Sequence, residues 1–209
     1  MAKTKIVKKR WRPVYALKPL QDRFIGELYT ATPQDMEGRY ILINLAAVTN
    51  NYAHQHFNIK FRVEKVEGDK GLASVYGYYM QQAYEKRVIR RRREKISDSF
   101  GVKTKDGVLV VVKPLIITTS KCSRNVETKI RKYARFFYAS KAAEMNYDEF
   151  MDNIINAKLQ SELRKNASKI MPIAASELRR AYRSEKFALV ITPKMYAEEF
   201  SKKSKKAKK

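Results

Sequence analysis

The spacing of apolar residues changes once along this chain, near Cys122, and that change limits the fold more than any other feature. Before it, apolar and polar residues alternate, most regularly in residues 57–64, as in a half-buried strand. After it, apolar residues such as Ile130 and Phe137 recur at helical spacing. We therefore expect an α+β fold, with a mainly antiparallel β core that is barrel-like or a strongly twisted sheet, and packed C-terminal helices.

Two turn signals predict hairpins in the first part of the chain. Asp106-Gly107 separates two strand patterns, and this dipeptide tolerates the positive φ that a tight hairpin turn needs. Gly68-x-x-Gly71 also lies between two strand patterns, so we interpret it as a turn and not as the phosphate-clamping loop of a KH domain, which joins helices. The predicted strands are residues 24–30, 40–46, 57–64, 72–79, 100–105 and 108–112.

Three helices are predicted after Cys122. The first is amphipathic and basic, and the second begins at a capping box formed by Asn146 and Glu149. Pro172 predicts the start of a third, because proline is favoured at the first turn of a helix. Its apolar stripe is Ala174, Leu178, Ala181 and Tyr182, and residues 187–191 return to strand character.

No linker rich in Gly, Ser or Pro divides the chain, so we expect a single domain with basic ends. The predicted organisation is a basic N-terminal arm (1–19), one α+β domain (20–193) and a Lys-rich tail (194–209). Within the domain, β structure extends to about residue 120, helices cover 123–184 and a final strand covers 187–192. Both ends are expected to be disordered in the free protein.

The charge of the chain predicts a polyanionic partner. Lys and Arg number 45 against 21 Asp and Glu, a formal net charge of +24. Setting aside 12 basic residues near the two ends leaves 33 against 21, so the folded body itself keeps a surplus of 12. Such a compact charge needs compensation, and phosphate backbones supply it.

The strongest functional signal is a run of arginines at residues 90–93, inside a basic segment that covers 81–95. We predict that this segment is helical, and that four consecutive arginines, turned by about 100° at each step, project into a polar partner. Arginine suits phosphate, because its planar fork donates two parallel hydrogen bonds. The alternatives are a solvated face, which explains one or two arginines but not this density, and a nuclear-import-like signal.

The predicted RNA-binding residues are the basic side chains of both ends, of the arginine segment and of the first helix of the C-terminal part. They are Lys8, Lys9, Arg10, Arg12, Lys86, Arg87, Arg90, Arg91, Arg92, Arg93, Lys95, Lys129, Arg131, Lys132, Arg135, Lys202, Lys203, Lys205 and Lys206.

Other chemistries find little support in the sequence. His54 and His56 share one side of a strand pattern, but no cysteine or third histidine is placed to complete a metal site. Cys122 lacks a histidine partner and no cofactor motif occurs, so we predict no enzyme activity, no metal and no cofactor. The tyrosines at 76, 78 and 79 could stack on bases, although core or sheet-edge positions are favoured.

The same inventory bears on location. A single cysteine fits a reducing compartment, and neither a signal peptide nor an apolar run long enough to cross a membrane is present. We therefore expect a cytoplasmic protein without a membrane partner.

The order of the motifs resembles one family, the archaeal and eukaryotic small-subunit ribosomal proteins called S-one-e or S-three-A. The resemblance covers most of the chain and rests on collinearity, since no single motif is diagnostic. Its carrying segments are Lys9-Arg10-Trp11, 24–28, Gly38-Arg39-Tyr40, Asn44-Leu45-Ala46, 56–63, 66–71, a helix reaching Ile96, 102–107, 130–134, Lys169-Ile170-Met171-Pro172 and the end of the domain through Ile191. The Lys-rich ending departs from the eukaryotic members, so contacts of their C-terminal extension are not carried over.

This resemblance implies a structural constituent of the small ribosomal subunit, bound to its ribosomal RNA on the platform near the messenger-RNA exit and the RNA 3′ end. The implied partners are that RNA, neighbouring platform proteins and messenger RNA near the exit, without homo-oligomerisation. Charge alone equally permits a DNA-architectural or chromatin protein. An RNA-modifying enzyme is the third class, and a bound nucleotide or methyl donor would identify it.

Overall fold

The computed structural model describes residues 8–17, 20, 23–193 and 195, and this part contains ten strands and five α-helices. The α+β class is therefore confirmed. The chain forms two compact units, the first ending at Gly77 and the second beginning at Tyr78. The strands are β1 (Arg10–Ala16), β2 (Phe24–Thr30), β3 (Tyr40–Asn44), β4 (Phe57–Glu67), β5 (Lys70–Met80), β6 (Lys95–Ser97), β7 (Phe100–Lys103), β8 (Leu109–Thr118), β9 (Ile173–Arg183) and β10 (Val190–Ile191). The helices are α1 (Leu45–Thr49), α2 (Gln82–Val88), α3 (Arg124–Glu144), α4 (Tyr147–Ile155) and α5 (Lys158–Ala167).

The first unit is a sheet in the order β2, β1, β5, β4, β3. β4 and β5 form the predicted hairpin, whose turn contains Gly68 at φ +60°. β1 runs antiparallel to β2 but parallel to β5, with Val14 opposite Gly71. The close approach of these strands explains the glycine, because a Cβ at Gly71 would lie 3.3 Å from a methyl of Val14.

One face of this sheet forms the core of the first unit. Alternate residues of β4 and β5 point into it, among them Ile59, Phe61 and Ala73, which are fully buried. Met36 and Leu45, from a short 3-10 helix and from α1, are buried with them. The strand predicted for residues 40–46 ends at Asn44, because the Asn44 side chain accepts a hydrogen bond from the Ala46 amide and starts α1.

The second unit contains the strand order β10, β7, β8, β9, with β6 also paired to β8. Its β7–β8 hairpin confirms the Asp106-Gly107 prediction, since Gly107 adopts φ +78°. β10 is shorter than predicted, but it joins β7 in parallel. Within the described residues the strands of neither unit close into a ring, so the open sheet is the form adopted, and most pairs are antiparallel as expected.

Helices α3 to α5 complete the second unit. α3 buries Ile130, Ala134 and Tyr138, and the Tyr138 ring lies 6.3 Å from that of Phe100 on β7. The capping box of Asn146 and Glu149 is present at the start of α4. The helix predicted to continue through Leu159 is interrupted at Ala157, which adopts φ +54°, and α5 begins after it.

The helix predicted after Pro172 was wrong, because residues 173–183 form strand β9. Register shifts against β8 leave Ala174 and Arg179 without direct partners. In a regular strand every second residue faces the core, but each bulge inserts one residue and extends that interval to three. The buried positions of β9 are therefore Ile173, Ser176, Leu178 and Ala181. Successive buried residues of β9 are thus three, two and three positions apart, and this average spacing is close to that of one face of a helix.

Two further predictions, for the arginine segment and for the N-terminal arm, were wrong in part. The helix expected through residues 90–93 stops at Val88, and a turn follows it, with Arg92 at φ +65°. The arm expected to be disordered contains a regular strand, β1, over Arg10–Ala16. The first seven residues, and the Lys-rich tail apart from Met195, lie outside the described residues. The single-domain organisation stays a prediction.

Candidate nucleic-acid interface

The arginine run forms an exposed turn between two regular elements, and we call residues 90–93 the arginine turn. Arg90, Arg91 and Arg92 are exposed and Arg93 is half-buried. None of the four takes part in a salt bridge with a described residue. Four guanidinium groups that form no salt bridge, even with the adjacent Glu94, are electrostatically available to an external anion.

The chain that leaves the arginine turn is fixed to the interior. The Glu94 amide donates to Thr118 Oγ1 at 3.0 Å, and the Thr118 amide donates to the Glu94 carbonyl at 3.1 Å. Thr118 is fully buried, and β6 continues from this point along β8. With α2 on its other side, the turn is held at both ends, which limits the conformational entropy lost when it binds.

Cations flank the turn on α2, β6 and β9. Lys95 Nζ and Arg179 Nε both approach the Glu85 carboxylate, at 3.0 and 3.1 Å. One carboxylate thus serves two cations, so this cluster keeps a positive charge. Lys86 and Arg87 are exposed on α2, and the Arg87 guanidinium lies 5.1 Å from the ring centre of Tyr84.

A second cluster, on β5, β8 and β9, joins aromatic rings to cations. Tyr79 and Tyr182 stack nearly parallel, with ring centres 6.3 Å apart. Lys113 Nζ lies 5.7 Å from the Tyr182 ring and Arg180 Cζ lies 6.0 Å from the Tyr79 ring. Sequence reasoning missed Arg179 and Arg180, because it assigned the β9 segment to a helix. It also missed Lys113, because a single lysine within the apolar strand β8 gives no local signal of a basic surface.

The predicted basic face of α3 is largely committed to internal ion pairs. Arg135 donates two hydrogen bonds to the Asp98 carboxylate, at 2.6 and 3.0 Å, and Arg131 pairs with Glu127 one helical turn away. Lys129 is exposed and Lys132 is half-buried. The Arg135–Asp98 pair fixes α3 to the loop before β7, and both pairs reduce the charge that α3 offers to a ligand.

The predicted residues near the N-terminus divide in the same way. Lys8, Lys9 and Arg10 are exposed, whereas Arg12 is buried. Arg12 donates to Asp69 Oδ1 at 2.5 Å and to Thr30 Oγ1 at 3.1 Å, so it holds β1 to the β4–β5 turn and to β2. The tail lysines 202, 203, 205 and 206 lie outside the described residues.

No cluster of three or more metal-binding side chains occurs in the described part of the chain. Burial raises the pKa of the Cys122 thiol, and the Glu94 and Glu127 carboxylates raise it further, which opposes thiolate formation. Among the described residues, no helix is both long and apolar enough to span a membrane.

One carboxyl of β9 has an unusual protonation equilibrium. Burial raises the pKa of Glu177 to about 7, against an opposing effect of the Arg164 guanidinium. Burial is also the main cause that raises the pKa values of Tyr78, Tyr84 and Tyr138, and the Glu177 charge adds to it in each case. These phenols remain neutral near pH 7, so Glu177 is the group of this set whose charge changes there.

Comparison with known proteins places this chain among ribosomal proteins. The profile of the Ribosomal S3Ae family matches residues 1–186. The chain is 30% identical over 175 residues to the small ribosomal subunit protein eS1 of Nanoarchaeum equitans, covering 84% of this chain and 88% of the relative. It is 29% identical over 170 residues to the protein of the same name from Saccharolobus solfataricus, covering 81% and 82%.

Proposed function

Because the chain belongs to the Ribosomal S3Ae family, we propose that it is a structural constituent of the small ribosomal subunit and binds ribosomal RNA through its basic surface. The names of the archaeal relatives support the ribosomal part of this proposal. A position on the platform, near the messenger-RNA exit and the RNA 3′ end, follows from the family resemblance and extends the proposal. Location in cytoplasmic ribosomes follows with it.

The observation that carries RNA binding is the arginine turn. Its four guanidinium groups have no salt-bridge partner among the described residues, although Glu85 and Asp98, which lie within eight residues of the turn in the sequence, each pair with other cations. Phosphate contacts dominate nucleic-acid affinity, and each one releases condensed counterions. Phosphates of a folded RNA would compensate this charge.

Recognition of one RNA site requires few contacts to base edges. Double-stranded RNA is recognised mainly by shape and by contacts to phosphate and 2′-hydroxyl groups. The arginine turn is fixed by α2 and by the Glu94–Thr118 hydrogen bonds, so its charges keep a defined spacing. We propose an assembly and stabilising role without catalysis, with neighbouring small-subunit proteins as further partners.

Sedimentation of native extract tests the ribosomal role. Extract from cells producing the tagged wild-type chain is separated on a sucrose gradient in high-salt buffer, and the protein is detected across the fractions. Stoichiometric co-migration with small subunits is expected. Release into soluble fractions, or co-migration with DNA, would contradict the proposal. The first result would favour a nucleic-acid chaperone and the second a chromatin protein.

A variant with Arg90, Arg91, Arg92 and Arg93 all changed to Ala tests the binding surface in the same gradient. We expect a substoichiometric amount in the small-subunit fractions. The matched control changes four exposed lysines, Lys65, Lys103, Lys105 and Lys169, to Ala and loses the same charge. Equal loss from both variants would indicate that net charge, and not the turn, governs association.

A further inference from the structure

The sheet of the first unit has one buried face and one open face. The core side holds residues such as Val14, Phe61 and Ala73, which are at most 1% exposed. On the open side, Trp11 is 65%, Phe24 is 55%, Tyr29 is 48% and Tyr40 is 44% exposed. We call the rings of Trp11, Tyr15, Phe24, Tyr29, Tyr40 and Tyr76 the aromatic face.

Strand register places these rings on the same side. Trp11 is directly opposite Tyr29, and Tyr15 is opposite Phe24 on one neighbour and Leu72 on the other. Partners in register project to the same face of a sheet, and so do residues two apart in one strand. Tyr76, four residues after Leu72, therefore shares this face, and its ring centre lies 5.0 Å from that of Tyr40.

Each part of the aromatic face carries a cation near a ring. Lys60 Nζ lies 4.0 Å from the ring centre of Tyr40 and 5.4 Å from that of Tyr76. Lys70 Nζ lies 5.6 Å from the Tyr15 ring, and Lys9 Nζ lies 5.9 Å from the Tyr29 ring. These ammonium groups are positioned to reach phosphates that run beside a base stacked on the ring.

From this arrangement we infer that the aromatic face binds single-stranded RNA by stacking unpaired bases on its rings. A duplex cannot use it in this way, because its bases already stack on each other. The inference rests on the proposed function only in taking RNA as the physiological ligand. It assigns to β1–β5 a role distinct from that of the arginine turn.

Charge favours RNA over a protein partner at this surface. Exposed Trp and Tyr suit either ligand, but lysine is depleted at the cores of protein interfaces. Here Lys9, Lys60, Arg62 and Lys70 lie within 6 Å of the rings. Two carboxylates oppose this charge. Glu64, on the same strand as Lys60, accepts a hydrogen bond from Ser74 at 2.5 Å, and exposed Glu27 lies opposite Pro13 on the same face. Four cations against these two carboxylates leave the face positive.

Trp11 provides a direct test, because it is the single tryptophan of the chain. A 12-nucleotide single-stranded RNA of mixed sequence, and the same RNA annealed to its complement, are each titrated into the full-length protein at about 0.3 M salt, where phosphate contacts alone are weakened. The single strand is expected to quench Trp11 emission in parallel with the anisotropy of a labelled RNA. Saturation of the anisotropy without quenching would overturn the inference.

Substitutions at the rings give an independent measurement. Trp11→Leu and Tyr40→Leu keep apolar side chains but remove the stacking surfaces, and each should weaken single-strand binding about tenfold or more. Tyr40→Phe keeps a ring and should bind within about twofold of wild type. Tyr52→Leu is the matched control, since Tyr52 is 87% exposed but lies in a short 3-10 helix outside the sheet.

The outcomes distinguish this inference from the proposed function. If the leucine variants bind the single strand normally but fail to enter small subunits, the aromatic face contacts protein and the inference is wrong. If wild-type protein is absent from small subunits yet shows quenching that depends on the rings, the ribosomal proposal fails and the inference stands.

Discussion

Two surfaces of the molecule, the aromatic face of the first unit and the arginine turn of the second, present positive charge in different ways. In the first unit lysines lie over aromatic rings, as Lys60 does at 4.0 Å from the Tyr40 ring. In the second unit the arginine turn forms no salt bridge and lies over no aromatic ring among the described residues, while cations beside it share Glu85. The ring–cation pairs of that unit involve other residues, such as Lys113 with Tyr182 and Arg180 with Tyr79. Exposed arginines attract phosphate wherever it lies, whereas a ring with its cation also offers a stacking surface to a base. We therefore expect the arginine turn to supply affinity and the aromatic face to supply strand selectivity.

The largest effect is expected from the arginine turn. Changing Arg90, Arg91, Arg92 and Arg93 to Ala should weaken binding to a small-subunit RNA fragment by about 100-fold at low salt and reduce the salt slope by roughly 3, because each phosphate contact contributes about 0.7 to 0.9. Filter binding across a salt series measures both. If the variant had the melting temperature and the salt slope of wild type, the arginine turn would not contact phosphate and would not differ in this respect from the aromatic face.

The next effect concerns Glu177 in the second unit. Its folded-state pKa of about 7 exceeds the ordinary value of 4.5, so the folded state binds more protons between these values and stability falls as pH rises through them. The resulting loss in the free energy of unfolding is absent below pH 4.5 and complete above pH 7, where it amounts to roughly 2–3 kcal/mol. Urea denaturation at pH 5 and pH 8 measures it.

Glu177→Gln should remove this pH-dependent difference and make the protein more stable than wild type at pH 8. Glu144→Gln, at the exposed end of α3, is the control and should leave the pH dependence of wild type. Arg164 and the three tyrosines Tyr78, Tyr84 and Tyr138 stay in place in both variants. If the wild type and Glu177→Gln lose the same stability between the two pH values, burial does not perturb this carboxyl.

A smaller effect separates structural from binding arginines in the first unit. Arg12→Ala should lower the free energy of unfolding by about 1–2 kcal/mol, because the buried guanidinium hydrogen-bonds to Asp69 and Thr30. Arg10→Ala, two residues earlier and exposed, should change stability by less than about 0.5 kcal/mol. Chemical denaturation compares the two, and a loss of RNA affinity from Arg12→Ala at unchanged stability would contradict this assignment.

The smallest effect is expected at Glu85. Glu85→Gln removes the carboxylate shared by Lys95 and Arg179, so it should raise RNA affinity about twofold to fivefold and steepen the salt dependence. Glu67→Gln, an exposed carboxylate of β4, makes the same charge change in the first unit. Equal gains from both variants would mean that net charge alone, and not the position beside the arginine turn, controls affinity.

Local signals predicted the elements whose geometry is decided by neighbouring residues. The Asp106-Gly107 turn, the Asn146–Glu149 capping box and the alternation of β4 each depend on contacts within a few residues, and the structure contains all three. The arginine run was recognised as exposed charge for the same reason. Its helical conformation was wrong, because hydrogen bonds to Thr118, 24 residues away, draw the chain into β6.

Ion pairs between residues far apart in the chain could not be predicted from the sequence. Arg12 pairs with Asp69 and Arg135 with Asp98, at separations of 57 and 37 residues, and both arginines were predicted to bind RNA. A count of charged residues cannot distinguish such paired arginines from unpaired ones. Only the fold shows which cations already have a carboxylate.

The sequence by itself determined the α+β class, the family and the positive surface, because periodicity, collinear motifs and charge can be recognised without knowledge of contacts. The tertiary structure decided which side chains share a surface. The bulges of β9 produced a helical spacing in a strand, and the register of β1, β2 and β5 brought Trp11, Tyr29 and Tyr15 to one face. Strand register depends on long-range hydrogen bonding, so residues far apart in the chain become neighbours only when the sheet forms.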